Sequence, residues 1–229
     1  MIKERLKILK KKINIFNIDG YVIPKNDEFF SEYSQKDRLK TISNFSGSVG
    51  YAVILKNKNY LFVDGRYTIQ AQIESGKYFE IKKFQEIFDC KLFKGLILGI
   101  DPKVFTSKQI SKFFSKFNKV KLINENLIDR IFLKNSKISK IFYSIDKKIT
   151  GESHFKKLDR ISQILKKEKS DYLLLSAPEN VAWLLNIRGY DNPNSPIPNC
   201  RLLLTKNKKF FLISEITKTK RLIKEKKIK

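Results

Sequence analysis

Histidine is the side chain that most often supplies a base, a proton shuttle or a metal ligand near neutral pH. This 229-residue sequence contains one, His154. It falls near the start of a predicted helix with no cysteine or second histidine at i+3 or i+4, so an imidazole-based metal site has no partner ligands. The expectation is a solvent-facing helix residue. A Ser–His–Asp triad would have to use the same histidine, and no Gly-x-Ser-x-Gly elbow presents a nucleophile. Cys90 and Cys200 stand 110 positions apart with no neighbours of metal-ligand spacing, which reads as two reduced cytosolic thiols. Carboxylates are plentiful, but none cluster on apolar strands as a buried carboxylate site requires. The glycines of FSGSVG (Phe45–Gly50) precede a strand instead of opening a helix, so no helix N-terminus is placed to receive a phosphate. A tight turn into a strand is the better account.

One polar constellation remains, in YLFVDGRYTIQAQ (Tyr60–Gln72). The apolar run Tyr60–Val63 reads as a buried strand, broken at Asp64-Gly65, with a helix over about Arg66 to Glu74. Asp64 can cap that helix through its side-chain oxygen, and Gly65 permits the abrupt change of direction. Arg66 has two readings. One is a surface ion pair, with Glu74 or a loop carboxylate. The other is a guanidinium projecting from the strand end toward a neighbour or a peptide, where bidentate bonding to carbonyls or a carboxylate is its strength. On the residues alone the ion pair is favoured.

The elements that position this corner alternate. Ile2, Leu6, Leu9, Ile13 and Phe16 recur at helical spacing with no small-residue cleavage site after them, which makes MIKERLKILKKKI the first helix of the fold and not a presequence. Strands follow at Gly20–Ile23, Tyr51–Leu55 and Tyr60–Val63, the last two a hairpin across KNKN. The polar stretch PKNDEFFSEYSQKDR between the first two strands reads as a long surface loop. Further strands are predicted in FEIKKF, LILGID and KVKLIN. Thr106 and Gln109 have the spacing of a capping box, ahead of an apolar stripe Ile110, Phe113, Phe114 and Phe117. ENLIDRIF closes a first α/β domain over 1–134, a mixed sheet flanked by helices. Residues 135–229 begin a second, similar unit. It has a helix marked by Phe155, Leu158, Ile161 and Leu165, a strand Asp171–Ser176, and a helix N-capped by Ser176 with Pro178 and Glu179 in its first turn. RLLLT and KFFLIS follow as strands, and then a basic tail, KTKRLIKEKKIK, with little apolar surface. The unit reads as incomplete.

Composition bounds the partners. With 41% hydrophobic and 31% charged residues the chain is globular. No apolar stretch approaches the ~18 residues that span a bilayer, so no membrane partner is expected. The net charge is +25, yet 40 of the 48 basic residues are lysine and they are spread along the chain. Specific nucleic-acid binding concentrates basic residues on one face and adds aromatics or a groove-entering helix. None is expected here beyond a general attraction to polyanions at low salt.

Several motifs in register carry a resemblance: SEYSQKDRLKTISNFSGSVGYAVIL, YLFVDGRYTIQAQ, GIDP, LINENLIDRIF and ENVAWLLNIRGYDNPNSPIP. From the first helix to KFFLIS the sequence resembles the N-terminal part of long-form Xaa-Pro aminopeptidases (aminopeptidase P). That resemblance implies two α/β domains of the creatinase N-terminal, ribonuclease H-like type. They precede a metallopeptidase domain, absent from these residues, that holds two divalent metals, commonly manganese. The implied substrate is a peptide with proline in second position, the implied partners a second copy or the missing catalytic domain, and the implied location the cytoplasm. This chain by itself is expected to be inactive and to hold no cofactor. Carried over by position, Arg66 contacts bound peptide. Asp64, Arg188 and Asp191 orient loops, and Trp183 packs. Phe29 stands where many relatives have histidine, two residues before SEY, and Asn44 stands where glycine is usual.

Overall fold

A computed structural model describes every residue of the chain except 32, 33, 35, 89, 113–118, 133–140, 193 and 229. The chain divides into two compact units, Met1–Asn135 and Ser136–Lys229.

In the first unit, α1 (Ile2–Ile15) buries Ile2, Leu6, Leu9 and Ile13, the stripe its spacing requires. It is followed by β1 (Gly20–Pro24), α2 (Arg38–Ser43), β2 (Gly50–Leu55), β3 (Asn59–Val63), α3 (Thr68–Ser75), β4 (Glu80–Lys83), β5 (Ile97–Ile100), α4 (Ser107–Ile110), β6 (Lys119–Leu122) and α5 (Leu127–Phe132). The sheet order is β4-β3-β2-β1-β5-β6. Pairs β1–β2 and β2–β3 are antiparallel, while β1–β5, β3–β4 and β5–β6 are parallel, giving a mixed sheet. One face packs against the helices through Leu9, Ile13, Leu39, Phe45 and Leu127. The other is covered through Phe62, Ile87, Phe93, Val104 and Phe105, side chains drawn largely from short 3₁₀ segments between the later strands. Thus β1 is buried at every position and β2 and β3 at all but one each, the burial that continuous apolar runs such as YLFV demand. The capping box forms: Thr106 Oγ1 accepts from Gln109 N, and Gln109 Oε1 accepts from Thr106 N. Phe113, Phe114 and Phe117 lie outside the described residues.

The loop between β1 and α2 is pinned by charge. Arg38 is 1% exposed. Its Nε donates to Asp129 Oδ1 at 2.6 Å and Nη2 to Asp129 Oδ2 at 2.7 Å, while Nη2 also reaches Glu28 Oε1 at 2.5 Å. One guanidinium therefore ties α2, α5 and the loop together. Lys25 bonds Asp37, and Asp27 accepts from the backbone of Phe29 and Ser31. Burial pushes the Glu28 carboxyl upward, but the hydrogen bond and charge of Arg38 outweigh it and hold that group below the usual range.

In the second unit the order is β7 (Tyr143–Ser144), α6 (Lys147–Thr150), α7 (His154–Lys167), β8 (Tyr172–Leu175), α8 (Pro178–Leu185), β9 (Ile187–Arg188), β10 (Arg201–Thr205), β11 (Phe210–Ile213) and α9 (Ile216–Lys224). Strands β11-β10-β8 form one antiparallel sheet, and β7-β9 a second. Leu158, Leu165, Val181, Leu184, Leu185, Leu202, Leu204 and Leu222 make its core. Cys200 is a buried free thiol there, which burial raises to about 12. The side chain of Cys90 lies outside the described residues.

The basic tail, expected to carry little apolar surface, forms α9, which buries Thr219 and Leu222. Other expectations change in this unit. Ser176 is not the cap. Ala177 is, with no side-chain bond, since Pro178 already fixes the first helical turn. Phe155 is 68% exposed, outside the stripe it was assigned to. His154 does not simply face solvent: it is half-buried, and Lys227 Nζ donates to its Nδ1 at 2.8 Å.

Replacing Arg38 by Ala leaves two carboxylates facing a buried void. The expected loss, read by urea denaturation of the first unit, is about 3–5 kcal/mol, with no recovery in R38K because lysine cannot reproduce the fork. Glu28 is depressed in the folded state. Its contribution is therefore present above the ordinary glutamate pKa of about 4.3 and lost as pH falls through the lower folded value, so the wild-type unit should weaken in acid more steeply than R38A.

Candidate functional site

The corner is built by β3. Its last residue, Val63, pairs with Gly50 on one side and Lys83 on the other, so the backbone leaves the sheet at Asp64. Asp64 Oδ1 accepts from Arg66 N at 3.0 Å and caps a 3₁₀ turn, Gly65–Tyr67, that leads into α3. The same oxygen accepts from Arg66 Nε at 2.9 Å. These two bonds hold the Asp64 carboxyl below its usual range. The Arg66 side chain is 70% exposed and that of Asp64 40%, so the pair contributes little to stability. Its effect is orientation: Nε is engaged, and the guanidinium carbon sits 5.4 Å from the centre of the Tyr67 ring.

Around it, the turn Phe45–Gly50 is stitched to α3. Glu74 accepts from Ser46 N at 2.8 Å and Ser46 Oγ at 2.7 Å, and Gln70 Nε2 reaches both Ser46 Oγ and Glu74. Tyr67 OH and Ser48 Oγ are 3.0 Å apart, and the Tyr67 ring meets Phe45 edge-on at 5.8 Å. Glu74 is engaged by Ser46 and Gln70, and among the described pairs Arg66 bonds Asp64. Asn44 closes α2 in the left-handed region at φ 66, a conformation asparagine tolerates, so it serves where glycine is usual. The glycine roles differ from expectation. Gly65 has no positive φ and open space where a Cβ would sit, so the change of direction does not need it. Gly47 does need to be small: a Cβ there would lie 2.3 Å from the buried Phe45 ring.

Arg188 and Asp191 belong to the second unit. Arg188 Nη1 donates to Ile187 O at 2.8 Å and, more weakly, Ala182 O at 3.4 Å. Asp191 is buried, and its Oδ2 accepts from Asn199 N at 2.7 Å while Oδ1 accepts from Lys218 Nζ at 2.8 Å. It closes the segment from 191 to 199 onto α9. Trp183 is not packed in the core. It is 49% exposed, with Lys157 Nζ 4.4 Å from its ring centre. Lys157 itself is buried and donates to Trp183 O and Asn186 Oδ1, and burial lowers its pKa. Sequence reasoning missed the buried cations Lys25, Arg38 and Lys157, the last two of which stand beside apolar helix positions. The available signal was a cation beside apolar helix positions, Leu39 and Leu158.

The donor set does not suit a metal pair. Among the described residues no three of His, Cys, Asp and Glu are grouped to hold a metal ion. The sole imidazole turns Nδ1 toward an ammonium.

With the geometry in place, comparison with known proteins identifies the class. The creatinase/prolidase N-terminal domain matches residues 5–131, and a second domain of the same description matches residues 134–229. The chain belongs to the creatinase/prolidase N-terminal domain family. More particularly, it is similar to the probable Xaa-Pro aminopeptidase P of Laccaria bicolor, 30% identical over 85% of this chain and 33% of that protein. A counterpart in Pyrenophora teres f. teres is 34% identical over 84% and 32%. The crystal structure of X-prolyl aminopeptidase from Caenorhabditis elegans, described as a cytosolic enzyme with a di-nuclear active site, superposes with a TM-score of 0.82. It is 25% identical, over 95% of this chain and 40% of that one. The chain spans about a third of the length of these curated relatives.

Two variants separate the glycines. G65A should leave stability within about 0.5 kcal/mol, whereas G47A should cost about 1–3 kcal/mol by forcing the Phe45 ring to shift, both read by denaturant midpoint. Burial, then the charges of Lys227 and Lys157, hold the His154 pKa down to about 4. The sole histidine resonance should titrate there in NMR and move up in K227A. A value near the unperturbed 6.5 would contradict the contact.

Proposed function

We propose that residues 1–229 act as the non-catalytic N-terminal region of an Xaa-Pro aminopeptidase, a cytoplasmic metallo-exopeptidase that releases the first residue from peptides with proline in second position. In this reading two divalent metals, commonly manganese, serve in a catalytic domain outside these residues. The first unit supplies a substrate contact, Arg66. Asp64 presets the guanidinium, and Arg188 and Asp191 orient loops in the second unit. The observation that carries the reading is Arg66 itself: a guanidinium 70% exposed, held through Nε by a neighbouring carboxylate, in a chain similar to Xaa-Pro aminopeptidases over more than four-fifths of its length. An oriented fork suits a peptide carbonyl or carboxylate, because less rotamer freedom remains to be lost on binding.

A second reading is a stand-alone module that binds a peptide or partner, as one half of a split enzyme. The exposed apolar residues of β8 and β11 favour it, since Tyr172, Leu174, Phe211 and Ile213 are each more than half exposed.

The test uses the protein as it stands. Supplied with manganese and an Xaa-Pro tripeptide, it should release no N-terminal residue; metal-dependent release would sink the proposal. In an NMR titration with the same peptide, the Arg66 Nε and Tyr67 signals should shift. R66A should weaken that binding about 10- to 100-fold, the worth of one charge-assisted hydrogen bond. Unchanged affinity in R66A would remove Arg66 from the site.

A further inference from the structure

α1 carries its charges unevenly. Lys3, Lys7, Lys10 and Lys11 share one flank of the helix, beside the buried stripe that includes Leu6 and Ile13. There they line a groove of about 480 Å³, with Leu6 and Tyr78 as its apolar part. The one carboxylate of α1, Glu4, and its one arginine, Arg5, are not among the lining residues, and Arg5 donates to Thr41 O at 2.6 Å. Elsewhere in the first unit Lys56 pairs with Asp19, and Lys58 and Lys82 with Glu80. None of the four lysines in the groove has a carboxylate partner among the described residues. Lys3–Lys7, Lys7–Lys10 and Lys7–Lys11 fall at the i,i+3 or i,i+4 spacing at which like charges destabilise a helix. Lys10 is also partly withdrawn from water, and that burial lowers its pKa. The groove thus holds a repulsion that an anion would relieve.

We propose that this flank of α1 is a docking groove for an acidic segment of a partner polypeptide, with carboxylates on the lysines and aliphatic side chains against Leu6 and Tyr78. The dimensions suit it. Lys3 to Lys11 spans about 12 Å at the helical rise, and an extended segment presents side chains to one face about every 7 Å, so a short run of alternate carboxylates meets the row. A nucleic-acid strand is served less well. It is held through arginine forks and open aromatic faces. The groove has no arginine, and the Tyr78 ring packs against the core with Lys77 Nζ 5.7 Å from its centre. A bilayer is flat, and the apolar stripe that α1 would insert is buried in its own unit. A second copy of the chain brings a net charge of +25 of its own and is repelled. The groove also stands apart from Arg66. Tyr60 pairs with Glu80 and Val63 with Lys83, so Tyr78 lies at the sheet edge opposite the one where β3 gives way to the Arg66 corner. Docking here is independent of peptide binding at Arg66.

Fluorescence anisotropy on the 229-residue protein at physiological salt tests this with a labelled peptide of about ten glutamates. A glutamine peptide and a thymidine single strand of the same length serve as neutral and nucleic-acid controls. The glutamate peptide should bind more tightly than the thymidine strand, and the glutamine peptide should not bind. The double variant K7E/K11E should weaken glutamate-peptide binding by more than about tenfold, since it turns two attractions into repulsions. K166E/K167E makes the same change of charge on exposed positions of α7 and should leave the affinity within about twofold. Far-UV circular dichroism checks that both variants fold. In NMR the backbone signals of Lys10 and Tyr78 should shift on adding the glutamate peptide, while that of Arg66 should not. No binding overturns the proposal, and so does a thymidine strand that binds as tightly, which hands the groove to nucleic acid. Equal loss in the two variants overturns it by reducing the attraction to net charge. Unchanged affinity in K7E/K11E, or shifts confined to other residues, overturns it by locating the site elsewhere.

Discussion

Burial of the β2–β3 hairpin on both sides of the sheet is the constraint from which the corner follows. With side chains locked above and below, a slip of one residue would exchange every inward and outward group, so the pairing of Gly50 with Val63 is fixed by packing and not by the turn alone. That pairing sets where β3 must end. Asp64 is the first residue past the ladder, free to turn its carboxylate back onto the next helical turn, and Arg66 inherits its position from the carboxylate. Gly50 contributes from the other strand: a Cβ there would sit 3.0 Å from Phe62 O, so the hairpin closes tightly only without one.

The charges of the chain divide by environment. The exposed Asp64–Arg66 pair directs a side chain without holding up the fold. The buried Arg38 cluster does the reverse, joining α2 to α5 through a bidentate bond to Asp129 and to a loop through Glu28. In the second unit Lys157 is buried on neutral acceptors, a backbone carbonyl and an asparagine side chain, and leans on an indole. Most of the remaining lysines are solvated. A net charge of +25 therefore says little about where recognition happens, and the few placed cations say more.

Much of the first unit was legible in sequence. The stripe Ile2, Leu6, Leu9 and Ile13, the hairpin across KNKN and the Thr106–Gln109 capping box each follow from local rules of period, turn or cap, and each is present. What local rules could not give was long-range pairing. Arg38 and Asp129 are 91 positions apart, and nothing in either neighbourhood predicts the partner. The ion pair of Arg66 was legible in kind, but its partner proved to be the cap residue. The role given to Gly65 failed because a 3₁₀ turn changes direction without a positive φ. In the second unit, α9 was hidden by lysines whose stems can lie along apolar surface, and His154 was misjudged because Lys227 returns to it from 73 positions away.

Cys200 lends the second unit a property of a different kind. Walled in beside Leu202 and Leu204, with its thiol held near 12 by burial, it forms almost no thiolate while the unit is closed, and the thiolate is the species that reacts. Its alkylation must then wait for the surrounding structure to open. The labelling rate at this one sulfur, followed by peptide mapping, becomes a clock for the breathing of the second unit.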